Sequence, residues 1–143
     1  MKKQIKDVKV VMDRIGVRTA ARKSVIYVPS VTVTFNDPQI PKTECLIDGL
    51  GGRFKKSDFV TSILCHTFFV LVFKQEWAIV SSEGKLLATM QPTGQIIQTD
   101  PDVCEDYFIV REGNMWVGYN SDASIVGSRE MEEEEIAEFD KMQ

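Results

Sequence analysis

Four groups of residues in this chain have the types and spacing to do chemistry. The run Gly49-Leu50-Gly51-Gly52-Arg53-Phe54-Lys55-Lys56-Ser57 sets glycines, whose backbone N–H groups can face an anion, beside three cations. A Walker-type phosphate loop needs Gly immediately before Lys-Ser/Thr at the start of a helix, whereas here Lys55 precedes Lys56 and the pattern beyond them is not helical. A β-turn with a solvated basic flank is the favoured reading, and an anion site using Arg53, Lys55 and Lys56 is the alternative.

His66 is the single histidine and Cys65 adjoins it. Neighbours on a strand point to opposite faces, which disfavours a nucleophile–base pair there. Cys45, Cys65, His66 and Cys104 have the donor types of a Cys3His zinc site but lack any Cys-x-x-Cys spacing. Asp100, Asp102, Glu105 and Asp106 could hold a divalent cation, yet the glycine and terminal glutamate of an EF-hand loop are missing and Pro101 marks a turn. With no Gly-x-Ser-x-Gly elbow either, the sequence points to no catalytic residue, no metal and no cofactor.

The elements around these groups are more informative. Residues 69–87 and 108–126 echo each other at an offset of 39, and both tryptophans, Trp77 and Trp116, fall at the same place in the unit. Each copy is an apolar run, a polar turn, a Trp-bearing run, a second polar turn and a short aliphatic return, the pattern of a β-meander. Setting Cys45 where the tryptophans stand brings Gly52 onto Gly84 and suggests a third, decayed copy. Residues 69–73 are apolar on both alternating faces, so that strand is expected to be central and covered on both sides. Gln95 to Gln98 reads as a further short strand, giving each unit room for about four.

Other segments read differently. Ile5, Val8, Val11 or Met12, and Ile15 recur at helical spacing before Gly16, which suggests a short amphipathic N-terminal helix, while Val8, Val10 and Met12 give a competing strand reading and Val and Ile are mediocre helix formers. Residues 25–28 and 31–35 are strand-like, but Pro29-Ser30 argues against one uninterrupted central strand. Residues 128–143 read as a helix with Ser128 as N-cap, glutamates in the early turns, and a ragged apolar stripe of Met131, Ile136, Phe139 and Met142.

All 143 residues, 43% hydrophobic, suit one domain with the basic segment 1–23 and the acidic helix 128–143 as appendages. Its longest apolar run, residues 68–73, is far short of the roughly 20 a membrane-spanning helix needs. Three cysteines, an odd number, and an N-terminus without an apolar signal segment predict a reduced, cytoplasmic protein. Residues 2–23 carry a net charge of +6 and residues 129–143 a net of −5. Mutual neutralisation of neighbouring termini is favoured over nucleic-acid binding, because the chain as a whole is acidic at −4.

The Trp-bearing unit resembles the WG repeat, a bacterial β-rich repeat. Trp77, Ile79 and Gly84-Lys85 match in the first copy, Trp116 with Gly118 and Tyr119 in the second, and Leu46-Ile47-Asp48 with Gly52 in the decayed one. Ala78 and Val117 stand where the Trp-Gly dipeptide would have its glycine. The resemblance implies a β-meander scaffold used for binding, and it brings no catalytic residue.

The sequence therefore predicts a mainly β or α+β protein, built of antiparallel meanders in a twisted sheet or partial barrel with short terminal helices. The function it predicts is non-enzymatic: a module that binds another protein or itself, with Trp77, Trp116 and Tyr119 as anchors. A small-ligand or anion binder or enzyme using residues 49–56, and RNA binding through residues 2–23, are the alternatives.

Overall fold

The structure, a computed structural model, describes residues 4–19, 22–47, 56–103 and 106–141, with backbone alone at 12–19, 22–29 and 56. The protein is mainly β, with its strands in three antiparallel sheets and no closed barrel among the described residues. The N-terminal sheet orders β1 (Ile5–Thr19), β2 (Arg22–Phe35) and β3 (Thr43–Leu46). The central sheet is a meander of β4 (Phe59–Leu64), β5 (Phe68–Phe73), β6 (Trp77–Ser81) and β7 (Leu86–Met90). The C-terminal sheet is a second meander of β8 (Gln95–Ile97), β9 (Tyr107–Glu112), β10 (Met115–Asn120) and β11 (Ile125–Glu130), followed by helix α1 (Glu133–Lys141).

Two apolar cores lie on opposite faces of the central sheet. Phe69, Leu71 and Phe73 of β5, with Ala78 and Val80 of β6, pack with Ile5, Val8, Val31, Val33 and Phe35 of the N-terminal sheet. Their neighbours Phe68, Val70, Val72, Trp77 and Ile79 pack with Phe108, Val110, Val117 and Tyr119 of the C-terminal sheet. The molecule is thus three stacked layers. All six residues of β5 are buried, as a strand covered on both faces requires.

The two meanders share their pairing at the 39-residue offset. Val72 faces Trp77 as Arg111 faces Trp116, and Ile79 faces Ala88 as Gly118 faces Gly127. A bulge then skips one residue in each, so that Val80 faces Leu86 and Tyr119 faces Ile125. Both following turns close with matching bonds, from Ser81 N–H to Lys85 C=O and from Asn120 N–H to Ser124 C=O, each 2.8 Å. Gly84 and Ala123 hold equivalent left-handed conformations, with φ of 82° and 69°. A β-carbon on Gly84 would lie 1.9 Å from Cys45 Sγ, so close approach as well as backbone conformation requires glycine there.

Three expectations are corrected. The N-terminal segment is strand β1 rather than a helix. A bulge between Ile5 and Asp7 lets Ile5 and Val8, three residues apart, face the same core, and this imitated a helical period. β2 runs unbroken through Pro29, because β3 pairs only with Ser30 to Val33 and leaves β2 an open edge at Pro29 that needs no N–H. Ser128 lies in β11 and is not a cap; α1 begins five residues later, at Glu133. Of the cations expected to neutralise the acidic C-terminal segment, Lys2, Lys3, Arg14, Arg18, Arg22 and Lys23 have side chains outside the described residues; Ile5 and Val8 pack on the side of the central sheet away from the C-terminal sheet.

Candidate functional site

The outer face of the C-terminal sheet carries apolar residues that are only half covered. Its side chains follow from strand alternation: Phe108, Val110, Val117 and Tyr119 turn inward to the core, so Ile109, Arg111, Trp116 and Gly118 turn out. Cross-strand pairing arranges them in rows. One row is Gln95, Arg111, Trp116 and Arg129; the next is Ile97, Ile109, Gly118 and Gly127.

Helix α1 lies across the first row, touching β11, β10 and β9 in turn. Glu135 accepts two bonds from the Arg129 guanidinium at 2.9 and 3.1 Å, and a third from Trp116 Nε1 at 2.9 Å. Phe139 meets the Trp116 ring edge-to-face with centroids 5.1 Å apart. Asp140 pairs with Arg111 at 2.9 Å. Arg111 is further held by the Gly113 carbonyl at 3.0 Å.

Glu135 also accepts the Glu132 backbone N–H at 3.0 Å, the reciprocal half of a capping box with Glu132 at the N-cap. The Arg129 guanidinium, then the Glu132 N–H, hold its carboxyl down from 4.5 to about 2. The buried Met131, whose N–H donates to the Asn114 carbonyl at 2.8 Å, anchors the connection to β11.

The second row is left open. A groove of about 480 Å³ lies there, lined by Tyr107, Ile109, Trp116, Gly118, Val126 and Gly127. A smaller hollow of about 280 Å³ between Ile97, Ile109 and Phe139 continues it beside α1. At the 39-residue offset Tyr107, Ile109, Trp116, Gly118 and Gly127 correspond to Phe68, Val70, Trp77, Ile79 and Ala88, and Arg129 to Met90, all packed in the core beneath the C-terminal sheet, while Val126 corresponds to the exposed Leu87. The outer sheet has replaced Ile79 and Ala88 by Gly118 and Gly127, and Met90 by Arg129. A face that is filled in one meander is notched and charged in the other.

Of the three aromatic residues singled out by the sequence, only Trp116 sits on this face. Trp77 is 2% exposed and packs edge-to-face on Phe108 with centroids 6.4 Å apart. Tyr119 stacks on the other side of Phe108 at 5.6 Å, its hydroxyl shared between Glu112 and Thr93. Burial, then the Glu112 carboxylate, pushes the Tyr119 phenol up. Both are core anchors, with too little surface to meet a partner.

Residues 48–55, including Arg53 and Lys55, lie outside the described residues; Lys56 opens a single 3-10 turn, and its side chain lies outside them too. Cys45 and Cys65 pack on opposite sides of the central sheet, which keeps them from sharing a metal. Cys104 and Glu105 lie outside the described residues, and no cluster of three or more candidate ligands occurs within them. His66 is buried in the β4–β5 connection, where its carbonyl accepts the Ile5 N–H at 2.9 Å and its Nδ1 has no hydrogen-bond partner. Asp100 accepts the Asp102 N–H at 2.9 Å, an Asx turn in which Asp102 in turn accepts from Gln4.

The residues that build the face, Arg111, Arg129, Glu135 and the Gly118–Gly127 pair, did not stand out singly in the sequence. Their signal was the residue-by-residue difference between the two copies. No family model, no curated protein and no solved structure matches this chain.

Proposed function

We propose that this protein is a non-enzymatic interaction module that binds another protein through the outer face of its C-terminal sheet. One observation carries this reading: Trp116 occupies the position of Trp77, but where Trp77 is sealed beneath a whole sheet, the half-buried Trp116 is met by a nine-residue helix with no buried residue. Large aromatic and arginine side chains around an apolar groove are the composition of protein-binding patches. The WG-repeat resemblance favours the same class, since it implies a meander scaffold that binds. A reducing compartment such as the cytoplasm suits Cys45 and Cys65, which stand on opposite faces of one sheet and so cannot bridge to each other.

The test is capture from a native lysate with three versions of the full chain. The natural protein and a Leu87→Asp variant, altered at an exposed position of β7, retain the same partner; Val126→Asp, altered at the groove, loses it. Equal capture by all three, or a metabolite that raises the melting temperature while no protein is retained, defeats this reading.

A further inference from the structure

The open row beside α1 has a direction and an electrostatic rim, and together they describe what fits it. α1 crosses β11, β10 and β9 above Arg129, Trp116 and Arg111. The Gly127, Gly118, Ile109 and Ile97 row lies one step along those strands, about 7 Å away, since same-face residues are two apart. This strip runs alongside α1 at close to the roughly 8–10 Å at which helices pack side by side. It also runs across the strands, so an added β-strand, which pairs along an edge, does not match it.

The rim is acidic. From 132 to 141 the chain holds five glutamates and one aspartate against Lys141 alone. Glu135 and Asp140 are engaged by Arg129 and Arg111, while Glu132, Glu133, Glu134 and Glu138 are exposed. With Phe139 turned to the sheet and about 100° per residue, Glu134 and Glu138 fall on one flank of α1 and Glu133 and Asp140 on the other. Whichever flank borders the strip is negative. A second copy docking by its own α1 would bring acid against acid, which charge disfavours.

We infer that the strip seats a helix of the partner, lying alongside α1, basic on the flank that meets it, with a bulky apolar side chain over Gly127, against Val126 and Tyr107. This rests on the reading of the face as a protein-binding surface and adds the partner's chemistry. The notch at Gly127 takes the knob: a β-carbon there would touch nothing within 4 Å, whereas one on Gly118 would lie 2.9 Å from Val126 Cγ2 and 3.2 Å from the Tyr107 ring, which form the wall beside it.

The experiment uses the full chain and a synthetic probe, an amphipathic peptide of about 18 residues or five turns, with leucine on one face and lysine on both flanks. A second peptide carries glutamate in place of every lysine. Backbone amide shifts of the labelled protein report the seat. The lysine peptide is expected to shift the Gly118 and Gly127 amides, with affinity falling as salt rises. Glu133→Gln, Glu134→Gln and Glu138→Gln together weaken it by about tenfold, and Gly127→Leu abolishes it without changing the melting curve.

Equal or tighter binding of the glutamate peptide, shifts confined to other residues, or a dimer formed through this face overturns the inference. If the glutamate peptide alone shifts Gly118 and Gly127, the face remains a binding surface and only the basic helix is lost. If neither peptide shifts them and Val126→Asp still captures the lysate partner, both ideas fall.

Discussion

Trp116 and Phe139 stand edge-to-face, 5.1 Å between centroids and 73° between planes, repeating the contact of Trp77 with Phe108 at 6.4 Å and 76°. The tryptophan of each meander is covered by a phenylalanine from later in the chain, first on strand β9 and then on helix α1. α1 therefore lies in the place a fourth layer would occupy.

The two contacts differ in cost of removal. Phe139→Ala removes an exposed-side pair worth about 1 kcal/mol and is expected to undock α1 with little change in the global melt. Phe108→Ala empties a fully buried site between two sheets and is expected to cost about 3–5 kcal/mol. Amide hydrogen exchange separates the outcomes: protection is lost over residues 133–141 in the first variant and across the C-terminal sheet in the second.

Docking of α1 depends on acid pH through Glu135. Its carboxyl is held below its free value of 4.5, at about 2, chiefly by Arg129. A group depressed in the docked state contributes fully above pH 4.5, and that contribution is lost as pH falls through about 2. Tryptophan fluorescence is expected to report release of Trp116 over that window, and Glu135→Gln is expected to remove the transition and loosen the helix at neutral pH.

Tyr119 gives the alkaline limb. Its phenol is raised above 10.0 by burial first and by Glu112 second. The contribution is present below pH 10.0 and lost as pH rises through the folded value, because the unfolded chain releases that proton more readily. Tyrosinate absorbance should therefore show one tyrosine ionising late, and Glu112→Gln should bring it earlier. A Tyr119 that titrates with the others contradicts its place in the core.

What could be read in the sequence was whatever regular alternation wrote there. The two-faced apolar run of β5 announced a central strand, and the 39-residue echo announced meanders whose pairing coincides down to the bulge. Irregularity hid the rest. One bulge at Ile5 to Asp7 turned a strand's pattern into a helix's, and Pro29 looked disruptive because nothing in the sequence says that β3 stops one residue short of it. The candidate face was hidden for another reason: both tryptophans fall at the same place in the unit, and which of them is interior follows from the stacking order and shows in the sequence as differences between the copies, such as Ile79 against Gly118 and Met90 against Arg129.

The equivalent turns test the shared geometry most directly, because one holds glycine and the other alanine in the same left-handed conformation. Gly84→Ala adds a β-carbon against Cys45 Sγ as well as backbone strain, and roughly 2 kcal/mol or more of destabilisation is expected. Cys45→Ala in the same chain should recover the steric part and leave the strain. Ala123→Gly relieves the strain in the second meander and loses only one half-buried methyl, so its stability is expected to be unchanged or raised by up to about 1 kcal/mol. Denaturant melts of the three variants decide it: a loss on Ala123→Gly comparable to that on Gly84→Ala would mean the two turns are not conformational equivalents.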